Sequence, residues 1–352
     1  MVAYKSLDSG IQFLMFMISV LLIYISILNR VRNRYFNYQN SSGFYNSEII
    51  SSMNRNILIA GATGFIGKHL VNAFESRGDM VYAVTRDPVN AKKLLPGIKK
   101  SIGWSDLSSL RNENMDAFIN LSGMNLAEKR WNEKVKRQIY DSRVISTHKL
   151  IELISIMSHK PKVFISASGV DYYGDTGDKD VFEDSPPGSS FASRLTKDWE
   201  SEALEAEQFG VRVVVLRTGL VIGKGSPALE KMLLPFKLFV GGPPGGGKQY
   251  LSWIHIDDLK RIYLFSLDNE NVKGAVNASA PNPVTMRDFC KQLGRVLKRP
   301  SFFPVPGFLI RLFFGEIADV ILSGRRALPR KLQDLEYSFK YTNVFDALSD
   351  IL

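Results

Sequence analysis

The chain has 352 residues, with 45 Lys or Arg against 35 Asp or Glu and a formal net charge of +10. A hydrophobic content of 45% with 23% charged residues is ordinary for a globular chain, with room for one large α/β domain carrying a lobe, or for two domains. The lone Cys290 excludes an internal disulfide framework, four scattered histidines offer no metal-ligand cluster, and the basic residues form no stripe with interleaved aromatics, so neither a metal nor a nucleic acid is expected.

In chain order, the first feature is the uncharged run Ile11–Leu28. Its length approaches what spans a bilayer, and Arg30, Arg32 and Arg34 follow it. Basic residues prefer the cytoplasmic side, so residues 1–29 read as a transmembrane signal anchor that leaves the rest of the chain in the cytosol. The rival reading is a leader removed on entry to a plastid or another organelle. Residues 30–54 lack hydrophobic periodicity and read as linker.

The next stretch carries the most chemistry. The apolar run Asn56–Ala60 predicts a strand, Gly61-Ala62-Thr63-Gly64-Phe65-Ile66-Gly67 a turn, and Lys68–Phe74 a helix. In that context Gly61 lets the chain turn, Gly64 lets a pyrophosphate approach the backbone, and Gly67 lets the helix pack on the strand. The free N–H groups of the helix start suit phosphate. Thr63, Phe65 and Ile66 lie within the same turn.

A second strand over Asp79–Val84 ends at Thr85-Arg86-Asp87. Arg86 at that tip suits the 2′-phosphate of NADP, because a guanidinium offers paired donors to phosphate oxygens. Asp87 is the acidic residue that an NAD site would use on the ribose, so NAD stands as the alternative. Further strands are expected over Met115–Leu121, Pro161–Ser166 and Val211–Leu216, with helices over Glu128–Met157 and Phe191–Phe209. Leu121 and Ser122 fall where such a fold lays chain along the adenosine half of a dinucleotide. Continuous apolar strands alternating with helices predict a doubly wound parallel sheet of the Rossmann type over residues 55–224. Beyond it, looser alternation over 225–352 predicts a smaller α+β substrate lobe, with helices near Leu229–Phe239, Asp257–Leu267 and Met286–Leu297.

Gly242–Lys248 has the glycine and lysine spacing of a nucleotide-triphosphate loop. Gln249 stands where magnesium binding needs Ser or Thr, and a strand is expected next rather than a helix. The stretch reads instead as a flexible loop at a substrate mouth.

The glycine spacing resembles that of the extended short-chain dehydrogenase/reductases. Arg130–Glu133, Asp141–Val144, Ser168–Gly174, Leu216–Gly223, Gly241–Pro243 and Trp253–Leu259 narrow the resemblance to the atypical branch called the epimerase family protein. It runs from about Arg55 to the C-terminus, where about 303–350 resembles the branch's domain of unknown function. The resemblance implies NADP binding and adds Gln138, Arg143 and Val221 to the cofactor contacts. The broader family catalyses with Ser, Tyr and Lys, the lysine lowering the tyrosine pKa. Ser168 matches the serine and Lys197 one register of the lysine. The tyrosine position then holds Ser193, and in the other register the pair is Ala192 and Thr196. Tyr172 and its neighbour Tyr173 are the substitutes within reach by sequence, while His255 more simply caps the next helix. The resemblance thus implies an NADP-dependent oxidoreductase or epimerase on an unidentified small molecule. A non-catalytic NADP-binding regulatory or scaffold protein, linked through some relatives to organelle division, is the alternative.

Overall fold

The computed structural model describes residues 54–352, so the predicted membrane segment Ile11–Leu28 lies outside the described residues. Among those residues no helix is long and apolar enough to cross a membrane. Seven strands make the central sheet: β1 (Asn56–Ala60), β2 (Met80–Thr85), β3 (Lys100–Gly103), β4 (Ala117–Asn120), β5 (Val163–Gly169), β6 (Arg212–Thr218) and β7 (Gly274–Ala278). Their spatial order is β3-β2-β1-β4-β5-β6-β7, and every pair is parallel. Consecutive residues of β1, β4 and β5 are buried, as a sheet covered by helices on both faces requires. The order of winding reverses between β1 and β4. At such a reversal, open α/β sheets take ligands outside the carboxyl ends of the strands.

Besides β7, which joins the central sheet from within the expected lobe 225–352, two elements differ from the sequence reading. The expected helix over Glu128–Met157 is two helices, Glu133–Asp141 and Val144–Ile156. At the break the Ser142 hydroxyl donates to the Ile139 carbonyl at 2.8 Å and accepts the Met124 N–H at 2.9 Å, so a side chain competes with the helical backbone. The second difference is β3, which the sequence reading omits. It is a short edge strand with Ile102 as its one buried residue, too little apolar pattern to stand out.

The C-terminal part adds helices over Pro227–Lys237, Ile256–Asp268 and Met286–Leu297, close to those expected. Three two-stranded ladders join distant segments: Leu220–Ile222 with Trp253–His255, Tyr250–Leu251 with Val284–Thr285, and Asp180–Val181 with Arg326–Ala327. One apolar cluster runs from Ile57, Leu70 and Phe74 through Trp253 and Phe289 to Leu332 and Leu348. The buried Asp258 fastens the chain's end, accepting the backbone N–H groups of Lys340 at 2.7 Å and Tyr341 at 2.8 Å.

The loop over Gly242–Lys248 is followed by a strand, as expected, but it is not free. Val305 N–H donates to Pro243 at 3.0 Å, Gly245 N–H to Val305 at 2.7 Å, and Arg287 N–H to Gly247 at 2.9 Å. These backbone bonds replace the flexible loop expected from the glycines.

Candidate functional site

At the end of β1 the backbone turns through Gly61, whose φ of +84° favours glycine. A Cβ at Gly61 would stand 2.8 Å from the Leu121 carbonyl oxygen, and one at Gly67 would stand 2.3 Å from that of Gly61. Both glycines are therefore required by packing, and only the exposed Gly64 faces outward. The helix Phe65–Ser76 starts at Gly64, and no side chain caps its first N–H groups. Thr63 is half-buried beside them. Phe65 packs edge-on to His69 at 5.2 Å and lies against Gly223, bringing the turn to the Val221–Gly223 segment. Ile66 packs on the core.

The end of β2 sorts its two charged residues. Asp87 accepts the Asn90 N–H at 3.0 Å and caps the helix Pro88–Leu94, so its carboxylate already has work in the fold. Arg86 is exposed, and Thr85 accepts the Asp87 N–H at 3.3 Å. Beyond β4, Leu121 N–H donates to Ala60 at 2.8 Å and Ser122 N–H to the Asn120 side chain at 3.1 Å. The Ser122 hydroxyl is buried with no hydrogen-bond partner. Under this segment lies Arg143, which donates to the Met124 carbonyl at 3.0 Å and faces the Trp199 ring at 5.3 Å. Burial pulls its pKa down to about 10, so it remains a cation at neutral pH. Gln138 is exposed on its helix. The Val221 carbonyl accepts the Ser226 hydroxyl at 2.7 Å, which caps the helix Pro227–Lys237.

The end of β5 holds a different arrangement. Ser168 is buried and donates to the Glu200 carboxylate at 2.5 Å. Glu200 takes a two-point ion pair from Arg217 of β6, at 2.9 and 2.8 Å. Arg217 also donates to the Tyr173 hydroxyl at 3.0 Å and lies 3.5 Å over the Tyr172 ring. Tyr173 in turn donates to Asn277 at 2.7 Å. Burial alone would lower the Arg217 pKa, yet its bonds to Glu200 hold it above the usual guanidinium range. Burial pushes the Tyr173 phenol up to about 12.

The structure does not bring Lys197 to Ser168. Lys197 lies on the exposed face of the helix Phe191–Leu204, while Ala192, Thr196, Trp199 and Glu200 occupy the buried face. Glu200, not Lys197, is the charged side chain that reaches Ser168. Ser193 is tied to structure, donating to the Asp171 carbonyl at 2.8 Å, and the Thr196 hydroxyl bonds back to its own helix. His255 caps the helix Ile256–Asp268, its Nδ1 accepting the Asp257 N–H at 3.1 Å, and burial lowers its pKa to about 4. Sequence reasoning missed Glu200 and Arg217. The available signal was an arginine at the end of the apolar run Val213–Leu216, since a buried charge needs a partner. Among the described residues, no group of three or more His, Cys, Asp or Glu could hold a metal ion.

Comparison with known proteins completes the picture. The profile described as NAD dependent epimerase/dehydratase family matches residues 57–279, and a domain of unknown function matches 305–351. The chloroplastic Epimerase family protein SDR39U1 homolog of Arabidopsis thaliana is 39% identical over 302 residues, covering 84% of this chain and 86% of that one. The Epimerase family protein SDR39U1 of Mus musculus is 38% identical, covering 84% of this chain and 99% of that one. The crystal structure of the human epimerase family protein SDR39U1 (isoform 2) with NADPH superposes with a TM-score of 0.77 at 34% identity, covering 84% of this chain and 98% of that one. A UDP-glucuronic acid 4-epimerase from Bacillus cereus, at 20% identity and a TM-score of 0.68, shares the fold. With its glycine turn, its parallel sheet and these matches, the chain belongs to the NAD dependent epimerase/dehydratase family, among the epimerase family proteins.

Proposed function

We propose that the domain binds NADP(H) across the carboxyl ends of β1, β2 and β4, and acts as an oxidoreductase or epimerase on a small molecule. The observation that carries this reading is the turn over Gly61–Gly67, with no room for a Cβ at Gly61 or Gly67 and an uncapped helix start beside Gly64. The human relative solved with NADPH supports the choice of cofactor. So do Arg86, left exposed at the tip of β2, and Asp87, engaged as a helix cap. Ser122, with its buried unpartnered hydroxyl, Leu121, Arg143, Gln138 and Val221 would line the remaining length of the dinucleotide. When bound, the cofactor supplies hydride exchange with a carbon atom of the substrate.

The chain's own part begins at Ser168. With its proton donated to Glu200, its oxygen has lone pairs left to accept a hydrogen bond from a substrate hydroxyl. Tyr172, half-buried and stacked on Arg217, would be the phenol for proton transfer. Tyr173 is not, because its hydroxyl is committed to Asn277 and Arg217, and burial pushes its pKa up to about 12. Residues 225–352 would supply the substrate lobe. Titration of nicotinamide fluorescence tests the cofactor assignment. NADPH should bind the domain more tightly than NADH, and Arg86→Ala should weaken NADPH by about 10–100-fold, the worth of one charge-assisted contact. Equal affinities for the two cofactors would overturn it.

We also infer that Ile11–Leu28 anchors the full chain in a membrane, with residues after Arg30 on the cytosolic or stromal side. An uncharged run of that length followed by arginines supports this. The chloroplastic name of one relative makes a plastid the alternative address, reached with a cleaved leader. Carbonate extraction decides: full-length protein should stay in the membrane pellet, and a shortened soluble form would overturn the anchor.

A further inference from the structure

Apolar side chains are unevenly exposed in this molecule. Among the described residues, ten of the sixteen large hydrophobics that remain exposed fall within residues 231–249 and 295–314. All six exposed phenylalanines are among them, including Phe302 at 71% and Phe313 at 72% of full exposure. The two segments lie against each other. Phe303 N–H donates to the Gly241 carbonyl at 3.1 Å, Val305 is bonded to Pro243 and Gly245, and the Arg299 guanidinium lies 4.3 Å over the Phe239 ring. Exposed apolar groups gathered in this way mark an interaction surface, whereas scattered ones do not.

Charge narrows the occupant. The two segments contain seven Lys or Arg residues and no Asp or Glu. Lys237, Lys248, Lys298 and Arg299 among them are exposed. A face that is both basic and rich in phenylalanine matches the boundary of an anionic bilayer, where rings enter the acyl edge and cations meet headgroups. The helix Gly307–Phe314 favours lipid over a protein groove. Ile310 is its one buried residue, and Phe308, Leu312, Phe313 and Phe314 stay exposed around it. A protein groove covers one stripe of a helix, while a lipid medium accommodates apolar groups over a wide arc.

We propose that residues 231–249 and 295–314 form a docking surface for an anionic lipid bilayer. This surface belongs to the folded domain and operates apart from any N-terminal anchor. The fragment 52–352 is a fair test object, because it forms one compact unit and this part of the chain aligns with 99% of the length of the mouse relative.

The test is co-sedimentation of that fragment with vesicles of phosphatidylcholine alone, or with about one-third phosphatidylglycerol. Binding should be strong on the anionic vesicles, fall with added salt and be about 10-fold weaker or more on the neutral ones. Phe308→Ser with Phe313→Ser should cut anionic binding by about 10-fold or more, since each ring removes apolar area from the contact. Lys298→Glu with Arg299→Glu should abolish the preference for the anionic vesicles. Circular dichroism confirms that each variant folds. Absence of binding to either vesicle overturns the proposal, as does unchanged binding of the phenylalanine variant. A dimer in sedimentation velocity that the phenylalanine variant abolishes, without vesicle binding, assigns the face to a second copy and also overturns it.

Discussion

The carboxyl ends of β1, β2 and β4 and those of β5 and β6 share one edge of one sheet, yet they treat polar groups in opposite ways. On the first side the groups point outward or stay unmatched: the helix start after Gly64 has no side-chain cap, the Ser122 hydroxyl has no partner, and Arg86 is exposed. On the second side Ser168, Glu200, Arg217, Tyr173 and Asn277 are bonded to one another in a buried chain. A buried polar group without a partner costs free energy, so an unmatched set has reason to receive a ligand and a matched set has reason to be rigid. The first side thus leaves backbone N–H groups and the exposed Arg86 available to a ligand. The second is arranged to hold one serine in one orientation.

The sharpest way to break this comparison is to remove the cation of the buried chain. Arg217→Met should leave Glu200 buried without its two-point partner and lower stability by about 3–5 kcal/mol, read as a shift in the urea midpoint. Adding Glu200→Gln should recover much of that loss, because the stranded charge is then gone. A single variant as stable as wild type would mean that the network contributes little order, and the contrast between the two sides would collapse.

The same contrast explains what was legible in the sequence. The glycine turn, β1, β2 and the tip residues Arg86 and Asp87 are local: turn, strand and helix follow each other within a few tens of residues, and each glycine has a steric reason. The parallel sheet was legible for the same cause, since Val213–Leu216 and Ile57–Ala60 are continuous apolar runs. Glu200 and Arg217 are joined by tertiary folding across a helix and a strand, and Tyr173 meets Asn277 at a separation of 104 residues. No spacing rule links such positions. The expectation for Lys197 rests on a register set by a lysine, whereas the helix turns Thr196 and Glu200 inward. The break at Ser142 was hidden because both flanking segments are helical in pattern, and a side-chain bond to Met124 decides it.

The smallest expected effect is the most direct check of that register. Lys197 is exposed on its helix, and a surface substitution away from caps and networks changes stability by roughly 0.5 kcal/mol or less. Lys197→Ala should therefore leave both the urea midpoint and NADPH affinity close to wild type. Ser168→Ala, by contrast, should cost about 1.5–3 kcal/mol, because it removes a buried hydrogen bond to a charged group and leaves Glu200 short of one donor. If Lys197 instead reached the cofactor, its removal would weaken NADPH by about 10–100-fold, the worth of a charge-assisted contact. That result would require the helix Phe191–Leu204 to turn so that its lysine face met the cofactor. Glu200 would then leave Ser168, and the matched side would be as open as the other.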